Sequence, residues 1–249
     1  MSNFKKDVVA LIPARLDSSR LYAKSLLPID GLPLVVHTYK RAKLSKFIKD
    51  VFICTDSKKI EQEAVKHGCK VILTGKNFTG TDRISEASLK LKKKYDIYLD
   101  VQGDEPLLNP NHIDKVILWH LKNNRFDIVV PSLKFKSSDN QNIVKIVSSN
   151  NKVLYFSRSK IPFPFLKEPK FYSKHLSIIS FKLKSLIKFK ELKQSELEKI
   201  EGIELMRALE NEMNIGTFEL RGDSFSVDTS RDFYKAQKSM INDKFRKLY

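Results

Sequence analysis

The chain has 249 residues, of which 41% are hydrophobic, and it carries a formal net charge of +17 at pH 7. This length and composition are typical of a globular protein with its own core, and they predict one large domain over residues 1–249. No apolar run approaches the roughly 20 residues that span a membrane. The opening residues lead straight into the first predicted strand without a signal peptide, so we expect a cytoplasmic protein that does not insert into membranes.

The positive charge first suggests a nucleic-acid-binding protein, because lysine and arginine neutralise phosphates. The excess is mostly lysine, however, spread over predicted helices such as residues 90–94 and 182–199, and the chain has only ten arginines. The sequence contains no helix-turn-helix, RNA-stacking or zinc pattern. A lysine-rich solvated surface without a nucleic-acid partner is therefore the favoured interpretation. The alternative would show binding that weakens steeply as salt rises.

Residues 8–12 form an apolar run that predicts a buried strand of the kind found in parallel sheets, and Pro13 ends it. The loop that follows contains three cations and two hydroxyl groups: Arg15, Ser18, Ser19, Arg20 and Lys24. Because open α/β sheets bind ligands outside the carboxyl ends of their strands, this loop is a candidate polyphosphate cradle. A solvated basic loop is the alternative.

Strand and helix patterns then alternate along the chain, which predicts βαβ units and a mostly parallel sheet flanked by helices. The predicted strands cover residues 50–54, 69–73, 95–101 and 127–131, and the predicted helices cover residues 34–45, 58–67 and 109–124. Asn111 is the expected cap of the last of these helices. We expect His112 and His120 to be helix-surface or packing residues, because they lack the spacing of a shared metal site. Cys54 and Cys69 are expected to be small core residues in a reducing compartment.

Three polar segments follow predicted strands or begin predicted helices. In FTGTDRISE (78–86), Thr81 is the expected helix cap, and such a helix start can hold a nucleotide. QGDEP (102–106) places carboxylates at the carboxyl edge of the sheet, where their oxygens suit Mg²⁺. Asp228 follows a strand, and Thr229 or Ser230 caps the final helix. An ordinary helix start, a polar turn and a capping turn are the structural alternatives.

From about residue 132 the pattern changes to short β-like runs. Residues 142–147 and 152–158, joined at Asn150 and Asn151, predict a hairpin, and residues 175–181 predict a further strand. We interpret residues 132–182 as an inserted small β lobe. Its many apolar side chains make it a candidate dimerisation surface, and packing onto the main sheet is the alternative.

Six motifs in consistent order resemble those of the 3-deoxy-manno-octulosonate cytidylyltransferase (CMP-Kdo synthetase) family of sugar-nucleotide cytidylyltransferases. The first, IPARLDSSRLYAKSL, is similar to the family pattern IPARxxSxRLxxKxL. The others are TGTDR, VQGDEP, NIVKIV with YFSRSKIP, EGIELMRALE and VDT. The resemblance implies an α/β fold like that of the nucleotide-diphospho-sugar transferases. It also implies transfer of CMP from CTP to a 3-deoxy-2-ulosonic acid, with Mg²⁺ as cofactor and a homodimer as the assembly.

The resemblance also implies residue roles. The triphosphate would be held by Arg15, Arg20 and Lys24. The CTP pocket would include Thr79, Thr81 and Arg83. The metal ligands would be Asp104 and Asp228. The sugar would be oriented by Gln102, Arg158, His175 and Glu204, with Arg158 suited to its carboxylate. His175 as a core histidine is the alternative for that residue.

Several positions depart from the family pattern. Tyr22, Ala23 and Ser25 stand where the family has Pro, Gly and Pro. Toward the sugar, Ile179 replaces a Tyr and Leu205 replaces a Gln. Losing two polar contacts predicts altered recognition of the distal end of the sugar. Three substrates remain as alternatives. The first is Kdo itself, if Ser177 or Ser180 replaces the lost contacts, and the others are an amino-substituted acid and a nine-carbon acid.

Overall fold

The computed structural model describes residues 6–17, 21–136 and 140–249 of the chain. Within these ranges the strands are β1 (Val8–Pro13), β2 (Pro28–Ile29), β3 (Leu32–Pro33), β4 (Asp50–Thr55), β5 (Val71–Leu73), β6 (Ile97–Val101), β7 (Ile128–Val129), β8 (Ser132–Phe135), β9 (Lys145–Ser149), β10 (Lys152–Ser157), β11 (Tyr172–His175), β12 (Ile178–Phe181), β13 (Ile215–Gly216) and β14 (Glu219–Leu220). The α-helices are α1 (Leu34–Lys43), α2 (Lys58–Lys66), α3 (Gly80–Leu89), α4 (Pro110–Lys122), α5 (Leu183–Glu191), α6 (Glu196–Glu201), α7 (Leu205–Glu210) and α8 (Ser230–Ile241).

All strands except β2 and β3 belong to one twisted mixed sheet, in the order β14-β8-β11-β9-β10-β13-β7-β12-β6-β1-β4-β5. The central part is mostly parallel: β5, β4, β1 and β6 pair in parallel, as do β7 and β13. Only β12 runs against them, between β6 and β7. This arrangement confirms the predicted α/β architecture of a mostly parallel sheet flanked by helices.

The central strands are buried on both faces, which explains their continuous apolar sequences. Successive residues of β1 face opposite sides, so Val8, Ala10 and Ile12 pack into the core that contains α1 and α4. Val9 and Leu11 face the core that contains α3 and α5. The helices that cover the sheet leave its carboxyl edge open, and this edge carries the polar segments noted in the sequence.

Two predicted helix caps are wrong by two residues. Thr79, not Thr81, caps α3: its backbone is extended and its hydroxyl accepts a hydrogen bond from the Asp82 backbone N–H. Thr81 lies inside the first turn and is fully buried. Asn109, not Asn111, caps α4 and accepts from the N–H of Asn111. In both cases the residue before the first helical turn has the extended backbone that a cap requires.

The predicted hairpin is confirmed as β9 and β10, which pair antiparallel. Asn150 and Asn151 both have positive φ, at 49° and 61°, as tight hairpin turns demand. Strands β8 to β11 extend the central sheet instead of forming a separate body.

The predicted limit of the lobe is wrong at its C-terminal end, because β12 inserts into the central sheet between β6 and β7. The apolar side chains offered as a dimer surface are mostly buried within the chain. These are Ile146, Val153, Phe156, Ile178, Ile179 and Phe181. Leu154 is the exposed exception, at 54%. Sequence alone did not show that these residues complete the two cores of their own sheet.

The histidines and cysteines behave as packing residues. His112 and His120 are buried, and His120 Nδ1 lies 2.6 Å from the Ser180 hydroxyl. Cys54 and Cys69 are buried free thiols. Across the described ranges, no helix is both long and apolar enough to cross a membrane.

Candidate active site

A cleft of about 860 Å³ opens at the carboxyl edge of the sheet. Ten of the side chains predicted to bind substrate or metal line it: Arg15, Lys24, Thr79, Arg83, Gln102, Asp104, Arg158, His175, Glu204 and Asp228. Thr81 is buried and does not line the cleft. Arg20, with Ser18 and Ser19, falls outside the described residues. The cleft therefore brings together side chains from positions 15 to 228.

The centre of this cleft holds one ammonium group between two carboxylates. Lys24 Nζ donates to Asp104 Oδ2 at 2.7 Å and to Asp228 Oδ1 at 3.2 Å. It also donates to the backbone carbonyl of Val227 at 3.0 Å. Burial alone would lower the pKa of Lys24, but the two carboxylates outweigh it and raise that pKa, so the side chain is charged. The two predicted metal ligands thus face the same point although 124 positions separate them.

Tight backbone packing positions Asp104. It follows β6 in the QGDEP turn, and a Cβ on the preceding Gly103 would meet the Pro13 carbonyl oxygen at 2.7 Å. Only glycine allows that approach, which presses the turn against the end of β1. The Thr38 hydroxyl also donates to the Gly103 carbonyl at 3.3 Å.

The segment that carries Asp228 is attached to the same turn. The Val227 N–H donates to the Asp104 carbonyl at 2.9 Å. Just before it, the Ser224 hydroxyl donates to the buried Glu105 carboxyl at 2.6 Å. Just after it, Thr229 and Asp232 form a reciprocal capping box that begins α8. These contacts place the two carboxylates side by side.

The carboxylates of Asp104 and Asp228 suit a metal ion whose remaining ligands come from a bound substrate. In the described part of the chain, no group of three or more His, Cys, Asp or Glu side chains is arranged to hold a metal by itself. Asp104 and Asp228 supply hard oxygens and already contact one cation together. Mg²⁺ typically takes one or two carboxylates and completes its shell with water and substrate phosphates. The pair therefore fits Mg²⁺ that enters with a nucleotide.

An acidic residue that the sequence analysis missed lies behind the cleft lining, in contact with Gln102. Asp100 is fully buried in β6, directly opposite Ile179 of β12. The Gln102 amide donates to both of its carboxyl oxygens, at 2.9 and 3.0 Å. Burial, and then the nearby carboxyl of Glu204, raise the pKa of Asp100 well above its usual range. The available signal was one acid inside the otherwise apolar run IYLDV (97–101).

Glu204 connects two walls of the cleft. It precedes α7, and its carboxyl accepts the Thr81 backbone N–H of α3 at 3.0 Å. Burial raises the pKa of Glu204 despite this hydrogen bond. Thr81 thus contributes its backbone to the site and not a side chain that lines it.

Arg158 and His175 both line the cleft, and the charge of Arg158 acts on the His175 imidazole. The Arg158 guanidinium donates to the carbonyls of Glu201, Gly202 and Gln141 at 2.8, 3.0 and 2.9 Å. Burial, with a contribution from Arg158, lowers the pKa of His175 to about 4. The imidazole is therefore uncharged at neutral pH, and Arg158 is held in place by backbone carbonyls.

The remaining predicted cations differ in their attachment. Arg83 is buried, donates to the Thr74 hydroxyl at 2.7 Å and pairs with Asp56 at 3.2 Å. Arg15 is exposed on the loop after β1. Arg15 can therefore contact a ligand that enters from solvent, whereas the contacts of Arg83 stabilise the cleft wall.

Comparisons with known proteins agree with this geometry. The chain is 39% identical over 238 residues to 3-deoxy-manno-octulosonate cytidylyltransferase of Chloroherpeton thalassium, covering 92% of this chain and 96% of that one. It is 34% identical to 8-amino-3,8-dideoxy-manno-octulosonate cytidylyltransferase of Shewanella baltica, covering 95% and 100%. Among solved structures it resembles CMP:2-keto-3-deoxy-manno-octonic acid synthetase complexed with CTP, with a TM-score of 0.88 at 32% identity, covering 94% and 98%.

The structural match confirms the predicted nucleotide-diphospho-sugar-transferase-like fold. The family model described as cytidylyltransferase matches residues 9–215, which include β1 from its second residue, the loop after it, the QGDEP turn and Glu204. The chain therefore belongs to the cytidylyltransferase family of nucleotidyltransferases.

Proposed function

We propose that this protein transfers CMP from CTP to a 3-deoxy-2-ulosonic acid of the Kdo type and releases pyrophosphate. The observation that carries the proposal is the contact of Lys24 with Asp104 and Asp228 inside the cleft. It supplies the paired carboxylates and the cation that a nucleotide triphosphate requires, in a chain of the cytidylyltransferase family. With CTP as substrate, the reaction belongs in the cytoplasm.

The anomeric hydroxyl of the sugar would attack the α-phosphorus of CTP in line. An oxygen–phosphorus bond forms to the sugar, the bond to the β-phosphate oxygen breaks, and the hydroxyl proton is released to solvent. Positioning and charge neutralisation dominate such transfers, so no covalent intermediate on the protein is needed.

The residues of the cleft would divide this work. Lys24 and Arg15 would hold the triphosphate, with Arg20 assigned by family resemblance. Asp104 and Asp228 would hold Mg²⁺, which when bound neutralises phosphate charge and makes the sugar hydroxyl more acidic. The sugar would be oriented by Gln102, Arg158, His175 and Glu204.

Asp100 favours an amino-substituted sugar as the second candidate substrate. Its carboxyl is buried, Glu204 lines the cleft beside it, and no cationic side chain among the described residues forms an ion pair with either. Cross-strand partners lie on the same face of a sheet, so Asp100 stands beside Ile179, where the family has a tyrosine. An ammonium on the sugar would be well matched to this acidic neighbourhood. Of the alternative donors, Ser180 is fully buried at His120, away from the cleft, whereas Ser177 lines it.

Pyrophosphate release from CTP, measured with a panel of ulosonic acids, tests the proposed function. We expect release that depends on both Mg²⁺ and the sugar, and that is greatest for Kdo or its 8-amino derivative. Release without sugar, or none with any ulosonic acid, would refute the proposal.

We also propose a homodimer. The loop between β10 and β11 exposes four large apolar side chains: Phe163 at 77%, Phe165 at 83%, Leu166 at 93% and Phe171 at 40%. Several exposed apolar side chains in one loop are typical of an interface, and family resemblance makes a second copy of this chain the occupant. Light scattering should give the mass of a dimer, and Phe165→Ser with Leu166→Ser should give a monomer. A monomeric wild-type protein would contradict this assembly.

A further inference from the structure

Arg207 lies on α7, three residues after Glu204, and is buried behind the cleft wall at 2% exposure. Its guanidinium donates two hydrogen bonds to the Glu198 carboxylate, from Nε at 2.7 Å and from Nη2 at 2.6 Å. It donates two further hydrogen bonds to the Asp82 carboxylate, from Nη1 at 2.8 Å and from Nη2 at 3.3 Å. The planar group also stacks over the Phe189 ring at 4.4 Å. Such fork-like pairing fixes orientation as well as charge.

These partners belong to different parts of the site. Asp82 lies in the first turn of α3 and accepts a hydrogen bond from the cap hydroxyl of Thr79 at 2.8 Å. Glu198 completes the capping box that begins α6. Arg207 therefore joins α7, which follows the predicted sugar ligand Glu204, to the turn of α3 that lies along the predicted CTP pocket.

A second connection between α7 and α3 runs in parallel. The Glu204 carboxyl accepts the Thr81 N–H at 3.0 Å. One bond is too few to hold the angle between two helix ends. Arg207, one helical turn away, adds two hydrogen bonds to Asp82 of α3, and its two bonds to Glu198 fix the orientation of the guanidinium.

We propose that Arg207 is a positioning residue that locks Glu204 against α3 and thereby sets the sugar relative to CTP. This inference rests on the proposed cytidylyl transfer. Arg207 itself contacts neither substrate, because it lies behind the residues that line the cleft. Its action is through the carboxyl of Glu204 and the first turn of α3.

Two variants test this role. Asp82→Asn removes one charge from the link between α3 and α7, leaves the pair of Arg207 with Glu198 intact and keeps an acceptor for Thr79. Arg207→Lys keeps the positive charge but loses the planar guanidinium that donates paired hydrogen bonds to both carboxylates. Glu61→Gln serves as the control, because it removes a surface ion pair with Lys58 on α2 and neither residue lines the cleft.

The measurements are melting temperature, calorimetric binding of CTP alone, and steady-state kinetics with varied Kdo at saturating CTP. We expect both variants to fold and to bind CTP as the wild type does. Misplacement of Glu204 should raise KM for the sugar and lower kcat/KM by about tenfold or more, with the larger loss in Arg207→Lys. The control should match the wild type throughout.

A role in stability alone would lower the melting temperature and leave KM for the sugar unchanged, which would overturn the inference. An equal loss of CTP affinity and sugar affinity would overturn it as well. If the wild type turned over no ulosonic acid, the proposed function would fail first and this inference with it. Wild-type turnover with unchanged sugar KM in both variants would refute only the role of Arg207.

Discussion

Lys24 donates a 2.7 Å hydrogen bond to Asp104, one of the two carboxylates that the sequence predicts as metal ligands. The other, Asp228, accepts from the same nitrogen at 3.2 Å. A divalent cation held by these carboxylates would compete with the ammonium for the same oxygens. Entry of the metal and movement of Lys24 toward the phosphates would then be coupled.

Replacing Lys24 with methionine should have opposite effects on nucleotide and metal. Use of CTP should fall, because the lost charge-assisted contact is worth about 1.5–3 kcal/mol, or about 10- to 100-fold in kcat/KM. Mn²⁺ binding without CTP, followed by electron paramagnetic resonance, should become tighter because the competing ammonium is gone. Lys92→Met and Lys94→Met are the controls, and equal losses in them would contradict the phosphate assignment. Weaker Mn²⁺ binding in Lys24→Met would contradict the competition.

Asp104→Asn and Asp228→Asn should each lower turnover by orders of magnitude while the protein stays folded. Each removes half of the paired negative charge that would hold Mg²⁺. Activity should recover partly at high Mg²⁺ in both variants, which would show that the two carboxylates serve one site. Circular dichroism verifies folding, and near-normal turnover by either variant would remove that residue from the metal site.

Asp100 should decide between sugars. Asp100→Asn keeps the shape and a contact with Gln102 but removes the acid, beside Ile179, that a sugar ammonium would pair with. If the natural substrate carries an ammonium, kcat/KM for 8-amino-Kdo should fall by about tenfold or more while that for Kdo is little changed. Efficient turnover of Kdo by the wild type, with poor use of the amino derivative, would show that the departures at Ile179 and Leu205 do not redirect specificity.

The buried histidines should stay uncharged down to low pH. Burial lowers the pKa values of His37, His120 and His175 from 6.5 to about 4. Below pH 6.5 these histidines bind protons in the unfolded chain but stay uncharged in the folded chain. The free energy of unfolding therefore falls as the pH drops from about 6.5 to about 4. Each imidazole contributes about 1.4 kcal/mol per pH unit in that window.

Proton NMR of the individual imidazoles measures this directly. It also avoids the opposite effect of Asp100 and Glu204, whose raised pKa values reduce stability as the pH rises. The imidazole signals of the three histidines should not shift between pH 5.5 and 8. A midpoint near 6.5 for His175 would contradict the lowered pKa of that imidazole.

Much of the fold follows from local sequence. The run at residues 8–13 predicts β1, and alternating strand and helix patterns predict the flanked parallel sheet that the structure contains. The place of β12 could not be predicted in this way. Its residues 178–181 are equally apolar in a lobe or in a core strand, and only the long-range pairing of Ile179 with Asp100 decides between them.

The site shows the same division. The motifs predict many of the side chains that share the cleft, because the first loop and the QGDEP turn follow β1 and β6, which end at the same edge. Sequence could not show that Lys24 would contact Asp104 and Asp228 together, since that depends on how the last loop packs on the QGDEP turn. Arg207 was missed for a related reason: its partners Asp82 and Glu198 lie on other helices and carry no spacing signal.

The most direct test of the account is ³¹P NMR of CTP incubated with Mg²⁺ and Kdo, with 8-amino-Kdo in a parallel sample and Asp104→Asn as the blank. We predict that the CTP signals are replaced by pyrophosphate and a single phosphodiester signal from the CMP-sugar, and that the blank stays unchanged. Intact CTP in both wild-type samples, or conversion to CDP and phosphate, would contradict the proposed cytidylyl transfer.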